Sequence, residues 1–125
     1  MKIFLDDQWE TDRKSWVPAG YVGVKNFVEF KKLAEDALAR DEKIEAISFD
    51  NDLGTGEPEG WEIAKWLVEK HPEVFAHNPE IKIHSANPEG RAALEHHLAF
   101  GQNNWAELVA AKDRPHPWGE MTRKE

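Results

Sequence analysis

Four aspartates, one histidine and a few hydroxyl, amide and guanidinium groups are the residues of this 125-residue chain best placed to do chemistry. Asp6 and Asp7 end the run Lys2-Ile3-Phe4-Leu5, and Asp50 and Asp52 follow Ile44-Glu45-Ala46-Ile47-Ser48-Phe49. His84, Ser85 and Asn87 close Glu80-Ile81-Lys82-Ile83, and Arg91 stands one turn into the segment after them. Carboxylates gathered in one place repel, so at neutral pH such a group needs a cation or raised pKa values. Donor oxygens alone suit a hard ion. The expected occupant is Mg²⁺ or another divalent cation, because Mg²⁺ accepts a few carboxylates and fills its shell with water or phosphate oxygens. The metal ligands expected are Asp6, Asp7, Asp50 and Asp52.

His84 has an ordinary pKa near neutrality and suits general acid or base work. Ser85 can hydrogen-bond a phosphate oxygen. Asn87 and the helix N-terminus after it offer donors to an anion, and Arg91 can reach the same anion. Each assignment has a plainer rival. An Asp can simply cap a turn or helix, and a lone His can be a hydrogen-bonded structural residue. The other histidines are weaker candidates: His96 and His97 are sequential and point apart on a helix, and His71 stands at a helix C-terminus. Trp61 and Trp66 read as core, whereas Trp9 and Trp16 could flank a ligand.

The elements that must position these groups follow from apolar spacing. Lys2–Leu5, Tyr21–Val24, Ile44–Phe49 and Glu80–Ser85 read as strands, and residues 8–20, with Pro18 and Gly20, as a loop. Phe27, Phe30, Leu33, Ala34, Ala37 and Leu38 form one helical stripe, opened by Asn26 with Glu29 at capping-box spacing. Gly54–Gly60 is a turn, and Trp61 to about His71 is a second helix before Pro72. Asn87 and Pro88 open a third, which Gly101 is expected to end. Asn104 would cap a last helix over Trp105–Lys112, and the tail from Asp113 is read as extended or frayed. The domain division expected is thus 1–101 for an α/β domain and 102–125 for a C-terminal helix and tail. Alternating strands and helices argue for a three-layer α/β fold with a mainly parallel sheet of about four strands. Ligands of such sheets bind outside the carboxyl ends of the strands, where the polar clusters fall.

Composition narrows the partners. With 24 acids against 16 Lys plus Arg the net charge is −8, which disfavours nonspecific polyanion binding. One phosphate remains accessible, since a metal and one or two basic groups invert the field locally. No run reaches the roughly 18 apolar residues of a membrane span, and the opening MKIFLDDQ lacks the pattern of a signal peptide. The absence of cysteine excludes disulfides and thiolate metal sites. A cytoplasmic protein is expected, with no membrane partner.

These residues resemble the receiver domain of two-component signalling. The resemblance lies in paired acids Asp6-Asp7, Asp52-Leu53 after the third strand, Ser85-Ala86 after the fourth, and Gly60 and Glu62 at a fixed spacing from Asp52. The departures are a short polar segment in place of the first receiver helix, no fifth strand bearing Lys-Pro, and the additions Asp50 and His84. In IFLDD, ISFDNDLG and IHSANPEGR the chain is similar to a receiver-derived group, the cyclic-phosphate processing receiver domains, over roughly residues 2–98. Asn51 stands where His is common in that group. The resemblance implies a receiver-like (flavodoxin-like) fold with its first helix reduced or absent. It also implies processing of cyclic phosphates such as 2′,3′-cyclic ends of RNA or nucleotides, the partner then being a phosphate-containing small molecule or RNA end. In the leading reading, a metal-dependent phosphoesterase, His84 and Asp52 are catalytic and Ser85, Asn87 and Arg91 bind phosphate. A non-catalytic binding module and a phosphoacceptor receiver using Asp52 are the alternatives.

Overall fold

The computed structural model describes residues 1–113; the tail expected beyond Asp113 lies outside the described residues. Four strands, β1 (Lys2–Leu5), β2 (Tyr21–Val24), β3 (Ala46–Phe49) and β4 (Glu80–Ile83), form one sheet in the order β2-β1-β3-β4. Every pairing is parallel. Three helices, α1 (Phe27–Ala39), α2 (Gly60–Lys70) and α3 (Pro88–Asp113), complete the α/β fold, with 3-10 turns at Lys14–Trp16 and Pro72–His77. No helix among the described residues is long and apolar enough to cross a membrane.

The register sorts side chains onto two faces, because neighbours in a parallel ladder point the same way. Leu5 pairs with Val24 and Phe49, and Phe49 with Ile83. Leu5, Val24 and Phe49 share one apolar core with Phe30 and Ala34 of α1, Ile63 and Leu67 of α2, and Leu94 and Leu98 of α3. Burying each such large side chain contributes about 1.5–3 kcal/mol. The other face carries Phe4, Gly23, Ser48 and Lys82 in register. Segment 6–20 takes the place of a first helix there, with the Trp9 ring so close over Gly23 that an added Cβ would overlap it. This thin layer of loop is the third layer of the fold.

Local signals set the helix starts. Asn26 Oδ1 accepts from Glu29 N at 3.0 Å, while Glu29 Oε1 accepts from Lys25 N, one residue ahead of the expected capping-box partner. Glu59 and Glu62 form a full capping box at α2, and Asn87 Oδ1 accepts from Glu89 N and Gly90 N to open α3.

One boundary expectation fails. Gly101 does not end a helix, and Asn104 does not begin one: α3 runs unbroken from Pro88 to Asp113. A Cβ on Gly101 would stand 2.8 Å from Val68 Cγ2 and 2.9 Å from Phe75 Cε2, so this glycine serves close helix packing rather than termination. Trp105 and Leu108 carry the helix onward along the core, and Asn104 Nδ2 donates back to Phe100 O. The strand expectations also shrink slightly, since β3 begins at Ala46 and β4 ends at Ile83.

Candidate functional site

The chain leaves β1 toward β2 on one side, while β3 lies on the other, so a crevice opens at the carboxyl ends of β1 and β3. Asp6 and Asp50 are the first residues past those ends, and both are buried. Backbone bonds hold them there: Asp6 N donates to Val24 O and Asp50 N to Leu5 O. His84, the first residue past β4, joins them through His84 N to Phe49 O.

The three side chains converge. One ligand atom from each of Asp6, Asp50 and His84 lies within 4.8 Å of the others. His84 Nε2 is 3.1 Å from Asp6 Oδ2, and His84 Nδ1 is 2.8 Å from Ser48 Oγ. An ionised carboxylate only accepts, so Nε2 carries the ring proton and Nδ1 accepts the Ser48 hydroxyl. Phe4 stacks on the imidazole with centroids 4.5 Å apart and the planes 6° from parallel. The ring is therefore fixed on three sides. Burial lowers the His84 pKa, with Asp6 opposing, so the ring is held toward its neutral form.

Arg13 enters from segment 6–20. Its Nη1 lies 3.0 Å from Asp6 Oδ2 and 3.2 Å from Asp50 Oδ2. Its guanidinium also rests over the Trp16 ring, 4.7 Å from the centroid. The remaining Asp6 oxygen accepts from Gln8 N, and Asp50 Oδ1 accepts from Asn51 N. Burial, then the Asp6 charge, raises the Asp50 pKa to about 6, against the pull of the Asn51 N–H and Arg13. Asp7 is also raised, first by partial burial and then by Asp6.

The other residues picked out by sequence fall around this centre. Asp7 is half-buried and Asp52 exposed, both outside the tight Asp6–Asp50–His84 group. Asp52 Oδ1 accepts a long 3.4 Å bond from Asn87 Nδ2. Ser85 is buried, and its Oγ accepts from Asn87 N. Arg91 donates to Ile83 O and lies 3.7 Å from Glu95. It also lines a cleft of about 630 Å³ on the loop-covered face, together with Phe4, Trp16, Ser48, Lys82 and His84. His84 is thus a shared wall of the crevice and the cleft. Of the two tryptophans expected to flank a ligand, Trp16 lines this cleft and Trp9 instead packs on Gly23.

Three residues escaped the sequence reading. Arg13 lies in a segment without periodicity, so nothing local marks its direction. Ser48 reads as strand interior; the alternation placing it with Lys82 and His84 is the one signal that could have found it. Asn51, marked in the sequence only as standing where His is common in the resembled group, is fully buried. Its Nδ2 donates to Glu59 and its Oδ1 accepts from Trp61 N, pinning the start of α2. Asn51 is structural here.

The donor set fits a divalent cation, with one change from the sequence expectation. An imidazole nitrogen stands beside the carboxylate oxygens: Mg²⁺ or Mn²⁺ needs only the oxygens, whereas Zn²⁺ would take Nε2 after it gives up its proton and its bond to Asp6.

Comparison with family models matches residues 1–100 to the cyclic-phosphate processing receiver domain. The chain belongs to that family. Neither the comparison with curated proteins nor that with solved structures finds a match. The receiver-like fold, with a loop standing for the first helix, and the link to cyclic-phosphate processing therefore rest on the family match and the all-parallel sheet together.

Proposed function

We propose that this receiver domain is a metal-dependent phosphoesterase that opens a cyclic phosphate by hydrolysis. The observation carrying the proposal is His84 itself. It is tethered between Ser48 and Asp6, beside Asp50, on the wall between an acidic crevice and a cleft lined by Lys82 and Arg91.

In the proposed reaction, water adds to phosphorus, the bond from phosphorus to one ring oxygen breaks, and a phosphomonoester with a free hydroxyl remains. His84 Nδ1 takes the proton of the attacking water through the Ser48 hydroxyl and returns it by the same route to the departing oxygen, and Asp6 at Nε2 stabilises the imidazolium formed in between. Ser48 and Phe4 keep the ring in one orientation. Ser85, Asn87 and Arg91 supply donors to the phosphoryl oxygens, the arginine by leaving the Ile83 carbonyl. A divalent cation held by Asp6 and Asp50, with Asp7 and Asp52 at the rim, would polarise the phosphoryl group. Asp52, exposed beside Asn87, would orient the water.

The test is a panel of cyclic-phosphate nucleotides and RNA ends incubated with and without Mg²⁺ or Mn²⁺. Turnover should require the cation, and His84→Ala should lower it by about 10²–10⁴-fold while the protein stays folded. Unchanged turnover in His84→Ala would sink the assignment. A second reading, a non-catalytic binding module, is favoured by the Arg13 pairing, which already neutralises charge at the acids. It predicts ligand binding with no turnover of any cyclic phosphate. A phosphoacceptor role for Asp52 would be disposed of by failure of acetyl phosphate to label it.

A further inference from the structure

The position a cation would take between Asp6 and Asp50 is filled by a side chain of the same protein. Arg13 Nη1 touches one oxygen of each carboxylate, at 3.0 and 3.2 Å. A guanidinium nitrogen and a divalent ion cannot both lie at that point, since ligand oxygens approach Mg²⁺ to roughly 2.0–2.1 Å. Asp6 Oδ2 is the shared atom, held at once by Arg13 and by His84 Nε2. Asp6 and Asp50 are buried while Arg13 keeps a partly exposed side chain, so Arg13 is the partner able to leave. Its second hold is the Trp16 ring, at the end of the turn Lys14–Trp16. Trp16 in turn meets His84 edge-on at 6.4 Å and lines the cleft.

We infer that Arg13 is a built-in competitor for the cation position: a divalent ion binds at Asp6 and Asp50 only by expelling the guanidinium. The apparent affinity is then the intrinsic affinity reduced by the fraction of molecules in which Arg13 is out. Expulsion also frees the turn bearing Trp16, so the ion's arrival alters the cleft wall beside His84. The inference rests on the cation site of the proposed function, but not on catalysis.

Calorimetric titration of Mn²⁺ into the wild-type protein, Arg13→Gln and Arg13→Lys tests it. Removing the competitor in Arg13→Gln should tighten binding by about tenfold or more. Arg13→Lys, which keeps a competing cation, should bind closer to wild type. Adding Asp6→Asn to Arg13→Gln should abolish the gain and so locate it. Equal or weaker Mn²⁺ binding by a folded Arg13→Gln overturns the competition while leaving the cation site standing. Absence of Mn²⁺ binding in every variant overturns both the competition and the metal-dependent reading.

A second measurement needs no variant. The Arg13 guanidinium protons, followed by NMR in the wild-type protein, should lose their ion-pair protection as Zn²⁺ is added. Persisting protection with the ion bound at Asp6 would also overturn the inference.

Discussion

The two faces of the sheet are held by different forces. On the helix-covered face, Leu5, Ile47 and Phe49 meet three helices in a dry apolar core. On the loop-covered face, Phe4 and Ser48 meet an imidazole and line a cleft. The first face is stabilised by packing, which is insensitive to pH and tolerates no missing volume. The second includes the buried carboxylate of Asp50, whose desolvation is only partly offset by Arg13 and the Asn51 N–H. The site is therefore a place where the fold gives up stability.

The largest expected effect tests the first face. Phe49→Ala should cost about 3–5 kcal/mol in denaturant unfolding, through lost burial and the cavity left behind. A loss below about 1 kcal/mol would mean that the helices do not depend on that face.

The next effect runs in the opposite direction. Burial raises Asp50 from its ordinary 3.8 to about 6, so between those values the native state holds more protons than the unfolded chain. Stability from this group is therefore present below about pH 4 and is lost as pH rises through about 6. Asp50→Asn, measured in metal-free buffer, should flatten that fall and be more stable than wild type at pH 7.5 by on the order of 2 kcal/mol. If the variant proves less stable at pH 7.5 than wild type, the Arg13 pairing outweighs desolvation and the contrast between the faces collapses.

The smallest effect sharpens the contrast. Ser48→Ala should cost about 1 kcal/mol, the worth of one hydrogen bond. It should also shift the His84 ring ¹⁵N resonances as Nδ1 loses its partner. A loss comparable to that of Phe49→Ala would show that the loop-covered face is packed like the other.

Much of the frame was legible because it is written in neighbours along the chain. Strand ends at Leu5 and Phe49 follow from apolar runs stopping at polar residues, whereas β4 stops at Ile83, two residues short of the expected Ser85. The starts of α1 and α3 follow from Asn26 and Asn87, whose amides reach backbone N–H groups two or three residues on. Such bonds need no tertiary context. Gly101 misled because a glycine that ends a helix and a glycine that lets two helices touch look the same in sequence. Only Val68 and Phe75, brought against it in three dimensions, decide between them.

The same division runs through the site. By itself the sequence determined that Asp6, Asp50 and His84 stand at strand ends, because alternation and run length fix where strands stop. Which acids share one centre, and what else enters it, was a matter of sheet order. Placing β1 beside β3 joined Asp6 to Asp50 and left Asp7 and Asp52 outside the group. Folding segment 6–20 across the sheet brought in Arg13, and register brought in Ser48. The site's contacts span up to 78 residues of chain. No local pattern encodes them, since they exist only once the apolar face has packed and fixed the sheet that carries the other.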